Sequence, residues 1–329
     1  MENMIRKILG LSPYLEVMVR KIYWTSSILH VILNNLQRLR RKPAKKIAEI
    51  NLDVANFEDI LAKLRHFGVP PDCILVIHSS MAELGKTKLT ATAIIDRLIE
   101  FNGAKGTLAM PAFPRYAEEP AGIKRITTDM SKNVITYDVK RTMPWTGALP
   151  LKLMLRKASI RSSHPLNSMV AYGSEAEAMM KNNLAGDHPL PCGEHSSWNY
   201  CLQKGAKIIF LGVDVAHSMT MIHVAEDCYL DTWPISCWYR DRIFRVVDNE
   251  GEREISVRER KPKWAIHYAE RTLARDLLRY GIQKYSKVSG IDVSVIDAQE
   301  LLKFLNERKA TGYPYFMWKS IREWKFYDG

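Results

Sequence analysis

Ile209-Phe210-Leu211-Gly212-Val213-Asp214-Val215-Ala216-His217-Ser218-Met219-Thr220-Met221-Ile222-His223-Val224-Ala225-Glu226-Asp227-Cys228 is the stretch whose reading decides the fold. The apolar run from Ile208 to Val213 predicts a strand buried on both faces, as in a sheet covered by helices. A polar turn, Asp214 to Ser218, follows, and helical spacing resumes from about Met219 to Cys228. On that helix His223 and Glu226 stand three apart and share a face. An imidazole and a carboxylate fixed together just past a buried strand suit a general base. On the pair alone, a surface His beside a surface Glu is the simpler reading.

Strands and helices alternate on either side. Asn56 caps a predicted helix from Phe57 to Phe67, with Gly68 as its stop. Cys73 to Ile77 is a short strand that runs straight into His78-Ser79-Ser80-Met81-Ala82-Glu83-Leu84-Gly85. Such strand ends are where open α/β sheets bind ligands. Thr90 caps a helix from Ala91 to Phe101, and Thr107 to Met110 forms the next strand, ending at Pro111-Ala112-Phe113. This β–loop–α–β unit predicts a parallel sheet. Residues 114–143 read as a long excursion. After Cys228, Ser236–Trp238, Ile243–Val247 and Glu252–Val257 read as a meander with a hairpin turn at Asp248–Gly251. A helix over 264–280, a strand pair within 288–295 and a helix over 298–307 complete the chain. The expected class is α/β: a central mixed, largely parallel sheet flanked by helices, with a C-terminal β-meander and a helical N-terminal extension. The expected division is a basic helical extension, 1–46, and an α/β domain, 47–329.

Charge is unevenly spread. The chain carries +12 over 329 residues, and residues 1–46 hold ten basic residues against Glu2 and Glu16, a net +8. The cluster Arg38 to Lys46, with Tyr23, Trp24, Ile28, Leu29, Ile32, Leu33 and Leu36 beside it, suits an interfacial helix on an anionic membrane, or a helix packed on the body or on a second subunit. No nucleic-acid motif accompanies it. The five cysteines are odd in number and show no Cys-x-x-Cys spacing, which argues against a disulfide framework or a zinc ribbon and for a reducing compartment. No signal peptide or run of membrane-spanning length is read. A cytoplasmic protein is expected, peripheral at the inner membrane face if the arm binds lipid.

Four blocks then carry a resemblance. They are Ile77-His78-Ser79-Ser80 to Leu84-Gly85, Gly106-Thr107-Leu108 to Phe113, Arg161-Ser162-Ser163-His164-Pro165 to Ser168 with Tyr172-Gly173, and Leu211-Gly212-Val213 with Ser218, Thr220 and His223-Val224-Ala225-Glu226. From about residue 57 to 318 the chain resembles the aminoglycoside 3-N-acetyltransferases, which are unrelated to the common acetyltransferase fold. The resemblance implies acetyl-CoA or another acyl-CoA as cosubstrate, no metal, and His223 and Glu226 as catalytic residues with His78 near the thioester. It implies a cofactor cleft at Ser79, Ser80, Met81, Gly85 and Phe113. The family's usual Gly-Gly is replaced here by Lys86-Thr87-Lys88, so Lys86 and Lys88 either meet the phosphates or are solvated. His164, Asn167, Asp187, Glu194 and Asp214 are the expected acceptor-site residues. The loop Gly193-Glu194-His195-Ser196-Ser197 lacks the family's Gly and Pro, and residues 1–56 have no counterpart in the short resistance enzymes.

The chemistry agrees. An amine must lose a proton to attack, an imidazole is the natural acceptor near neutral pH, and a carboxylate one turn away fixes its tautomer. Backbone amides at Ser79–Met81, or His78, are candidates for the developing oxyanion. Ser79 and Ser80 lack a Gly-x-Ser-x-Gly elbow, so direct transfer is expected. His267 and Glu270 repeat the His-x-x-Glu pattern outside a strand–turn context and read as an exposed helix face. Arg161 either binds a phosphate or caps a strand end. A metal site from His217, His223 and Glu226 lacks metalloenzyme spacing. Because residues outside the extension are still basic, the expected acceptor is a nucleotide- or lipid-linked amino sugar of surface polysaccharide synthesis. The alternatives are antibiotic acetylation, a non-catalytic membrane-associated scaffold, and a serine or metal hydrolase. A homodimer is among the expected assemblies.

Overall fold

A computed structural model describes residues 9–26, 54–120 and 124–317; of the segment expected to face a membrane, residues 1–46, positions 1–8 and 27–46 lie outside them, whereas Trp24 lies within them and faces a cleft of the body. Ten strands appear among the described residues. They are β1 (Ile74–Ser79), β2 (Thr107–Pro111), β3 (Val134–Asp138), β4 (Ile160–Arg161), β5 (Met169–Gly173), β6 (Lys207–Leu211), β7 (Tyr239–Asp248), β8 (Gly251–Arg260), β9 (Gln283–Val288) and β10 (Ile291–Asp297). Seven form one sheet in the order β4-β5-β2-β1-β6-β10-β9. The helices that shape the site are α1 (Pro13–Thr25), α2 (Phe57–His66), α3 (Met81–Leu84), α4 (Ala91–Asn102), α5 (Ala148–Met154), α6 (Ser197–Gln203), α7 (Val224–Asp227), α8 (Glu270–Arg279) and α9 (Ala298–Asn306).

Side chains alternate along the central strands, so each strand feeds two cores. Val76, Ile208 and Phe210 pack with Trp198 of α6, Leu273 of α8 and Phe304 of α9. Leu75, Ile77 and Ile209 pack with Leu64 of α2, Leu98 of α4 and Leu149 of α5. Helix starts are locally encoded: the side chains of Asn56, Thr90 and Asp297 accept from backbone amides of the first turns they cap.

The sheet is mixed and helix-flanked, as expected, but its parallel part is small. Only the β2–β1 and β1–β6 pairings are parallel; the β5–β2, β4–β5, β10–β6 and β9–β10 pairings are antiparallel. Antiparallel strands can be reached by short turns, whereas apolar runs alone do not report direction. The expected meander is instead a long hairpin, β7–β8, joined on its far side by β3 in parallel register. β3 comes from within the excursion over 114–143. Tyr239 pairs with Arg260 at the open end of the hairpin.

The expected helix 264–280 is a 3₁₀ segment, Pro262–His267, followed by α8. The expected helix from Met219 is broken into a 3₁₀ turn, Thr220–His223, and the single turn α7. Among the described residues no helix is long and apolar enough to cross a membrane.

Residues 9–26 do not stand apart from the α/β body. The Glu16 side chain is fully buried, with Oε1 2.9 Å from the Arg271 amide and Oε2 3.1 Å from both the amide and the hydroxyl of Thr272. It thereby caps α8, whose own preceding residue, Ala269, has no side-chain cap to offer. Arg20 pairs with Glu270 at 2.8 Å, and Arg275 donates to the carbonyls of Gly10 and Leu11.

Candidate active site

His223 ends the 3₁₀ turn and Glu226 lies on α7, so the predicted pairing survives the break in the helix. His223 Nδ1 stands 3.1 Å from Glu226 Oε1, and the two side chains are 16% and 2% exposed. A third group completes the cluster. Arg260, the last residue of β8, reaches Glu226 Oε2 at 3.3 Å and lies against the imidazole, its Nη1 2.7 Å from Nδ1 and 3.1 Å from Nε2. The same Nη1 donates to Tyr315 Oη at 2.5 Å. Tyr315 is fully buried among Trp233, Trp238 and Tyr268, so the far end of this network is rigid.

Burial, and then the Arg260 cation, lower the His223 pKa below that of a free imidazole; Glu226 opposes them and does not win. The ring is therefore neutral at neutral pH. Burial acts to raise the Glu226 pKa, but His223 and Arg260 outweigh it and hold the carboxyl below its usual range. The neighbouring Asp227 goes the other way. Burial, reinforced by the Glu226 charge, pushes it up to about 7, although it accepts from Tyr239 Oη at 2.7 Å and from the Cys192 amide at 3.0 Å. This group opens on a cleft of about 230 Å³ whose walls include Trp24, Arg125 and Asn167.

A second cleft, of about 130 Å³, lies at the C-terminal ends of the parallel strands and is lined by His78, Ser79, Phe113, Trp145 and Val213. His78 is 6% exposed and stacks on Phe210 at 5.0 Å, and its Nε2 has no hydrogen-bond partner. Burial lowers its pKa to about 3. The clefts are linked by Trp198, whose ring is 6.3 Å from His78 and whose Nε1 donates at 2.7 Å to the carbonyl of Asn167.

The other expected site residues divide. Ser79, Phe113 and Asn167 line the clefts. The Ser80 amide is already bonded to Leu211 O at 3.0 Å, so it is not available to an oxyanion. Met81 packs into the α2/α4 core and Gly85 is exposed. Lys86 pairs with Glu83 at 2.5 Å and donates to Gly290 O, and Lys88 is exposed; neither lines either cleft.

His164 accepts the Leu166 amide at Nδ1 (3.1 Å), sets Nε2 3.2 Å from the Pro189 carbonyl and acts as a loop clamp; burial lowers its pKa to about 4. Asp214 caps the turn after β6 by accepting from the Ala216 amide. Asp187 is exposed, and Glu194 lies on a separate surface cleft with Cys228 and Asp231. Arg161 takes the strand-capping role, donating to the carbonyls of Val139, Thr142 and Ala112. His217 pairs with Asp214 and Glu270 rather than with His223. Among the described residues no three His, Cys, Asp or Glu side chains are grouped to hold a metal ion.

Arg260, Tyr315, Trp24 and Trp198 were not among the expected site residues. The expected strand, Glu252 to Val257, stops three residues short of Arg260. Nothing local marks it as the partner of a histidine 37 positions earlier.

Comparisons with known proteins bear on the family and the fold. The family model described as aminoglycoside 3-N-acetyltransferase matches residues 76–309. Aminoglycoside N(3)-acetyltransferase III of Serratia marcescens is 28% identical over 173 residues, covering 51% of this chain but 63%, under two thirds, of its own length. Aminoglycoside N(3)-acetyltransferase IX of Micromonospora chalcea is 25% identical over 266 residues, 73% of this chain and 88% of that one. The solved structure of AAC-IIIb in binary complex with CoASH shares the fold, with a TM-score of 0.64 at 22% identity, over 79% of this chain and 99% of that one.

Proposed function

The chain belongs to the aminoglycoside 3-N-acetyltransferase family, and on that premise we propose that it moves an acetyl group from acetyl-CoA directly to an amine of an aminoglycoside. His223 is the general base in this reading and Glu226 orients it. The observation that carries the reading is the buried His223–Glu226 pair opening on a cleft. Glu226 accepts the Nδ1–H, which leaves the Nε2 lone pair for the proton of the attacking amine and stabilises the imidazolium that results. At rest Arg260 donates toward Nε2, so the incoming amine has to displace it.

The second cleft fits the cosubstrate. A neutral, buried His78 with an unpartnered ring nitrogen can donate to a carbonyl oxygen as it gains charge, and Phe113 and Trp145 give apolar walls. Acetyl-CoA supplies a thioester whose C–S bond breaks as the C–N bond forms, the amine's proton passing to His223 and then to the thiolate.

The test is thiol release from acetyl-CoA with sisomicin and apramycin as acceptors, both of which appear bound to solved relatives. His223→Ala should lose about 10²–10⁴ in rate; an unchanged rate would refute the base. No thiol release by the wild-type chain with any amino sugar would refute the transfer, and an acyl-serine trapped at Ser79 or Ser80 would refute the direct route.

One observation favours a second acceptor. Arg125 and Arg260 line the cleft, while the Glu259 carboxylate there is shared by Arg240 and Arg242. Arg260 is answered by Glu226, and Asp227 lines the same cleft, so Arg125 is the cation that would meet a phosphate or carboxylate on the acceptor. The relatives' names favour the aminoglycoside over the nucleotide- or lipid-linked acceptor expected from charge, and faster turnover of glucosamine 6-phosphate than of sisomicin would reverse that order.

A further inference from the structure

The cleft that holds His223 and Glu226 has a wall that the family-matched region does not provide. α1 lies wholly outside residues 76–309, yet its Trp24 lines this cleft together with Arg260 and Ala265. The helix is held in place at several points. Glu16 is fully buried against the first turn of α8, Arg20 pairs with Glu270, and the Tyr14 ring meets Phe316 at 5.9 Å. α1 also packs along Pro262–His267, the segment that directly follows Arg260. The face of α1 that carries Met18 and Ile22 points to solvent, both residues being about half exposed.

We infer that the N-terminal extension is the acceptor-specificity element of this chain: α1, docked through Glu16, presents the Trp24 indole as one wall of the acceptor site, where it packs on the apolar face of a sugar ring. This rests on the reading that the His223 cleft takes the amine. An indole offers a large flat apolar surface with few rotatable bonds, so it contributes contact area at small entropic cost. Its placement beside the base, rather than beside His78, assigns it to the acceptor and not to acetyl-CoA. Trp24 touches no reacting atom in this account and is a positioning residue.

The experiment uses the full chain with sisomicin and glucosamine 6-phosphate as acceptor probes. Trp24→Ala should raise the acceptor KM about tenfold, as loss of a central aromatic anchor does, and leave kcat and the acetyl-CoA KM near wild type. Trp24→Phe should restore most of the loss. Glu16→Ala should raise the same KM, and the double variant should be no worse than Trp24→Ala, because both act through one wall. An acceptor KM unchanged in Trp24→Ala, or equal losses for both substrates, overturns the inference.

A second measurement needs no turnover. Carbethoxylation of His223 by diethyl pyrocarbonate, followed on its peptide by mass spectrometry, should speed up severalfold in Trp24→Ala and Glu16→Ala but not in Met18→Ala. An unchanged rate in Trp24→Ala overturns the inference. Absence of turnover with either acceptor counts against the proposed function, not against the wall.

Discussion

Burial, and after it the Arg260 cation, hold the pKa of His223 down. In the proposed reaction the histidine acts unprotonated, so activity should fall as pH drops through that pKa. Arg260→Ala removes that cation, and the acid limb of the kcat/KM profile should move to higher pH; a limb that stays put or moves down would contradict the electrostatic role. Asp227 gives a stability counterpart. Its folded-state pKa is raised from 3.8 to about 7, so the stability linked to its proton is complete below about pH 4 and is lost as pH rises through about 7. Asp227→Asn keeps a neutral side chain there at every pH. The melting temperature of the wild type relative to the variant should therefore fall between pH 4 and 7, and a flat difference would refute the shift. The His223–Glu226 pair was legible in the sequence because residues three apart in a helical turn must meet. Arg260 and Tyr315 were not, because tertiary contact alone brings them to the histidine.

Strand and helix positions were readable for a similar local reason. Caps at Asn56 and Thr90 and the apolar periodicity mark where elements begin and which faces they bury. Pairing direction leaves no such mark, so the sheet proved less parallel than its β–loop–α–β units suggested. β3 was missed although Val134-Ile135-Thr136-Tyr137-Asp138 alternates exposed and buried side chains, because its charged surroundings read as a loop. One glycine joins two elements at the site. Gly212, at the end of β6, has φ +67°, and a Cβ there would come within 2.5 Å of the Cβ of Glu83 on α3. Neither backbone can yield easily. Gly212→Ala should cost about 2 kcal/mol or more in urea unfolding, from left-handed strain plus the clash, and a loss of a few tenths would show that α3 moves freely.

On the scale of the whole molecule, the division expected at residue 46 does not separate the described part of the extension from the body. Glu16 accepts three hydrogen bonds at the start of α8 from a fully buried position, and Glu16→Ala should lower unfolding stability by roughly 1–3 kcal/mol by leaving those donors unpaired; an exposed tether would show no loss. The partners in this contact lie 256 residues apart in the chain. At about 5–20 residues per second, a ribosome makes the helix bearing Glu16 roughly 13 to 50 seconds before its landing site on α8 exists. For that interval the helix has no berth. The turn with His223, the hairpin with Arg260 and the landing site must all emerge before Trp24 can take its place. A helix made long before its landing site is thus among the last elements to settle, and a nascent chain halted before residue 270 would carry its histidine and glutamate without their tryptophan wall.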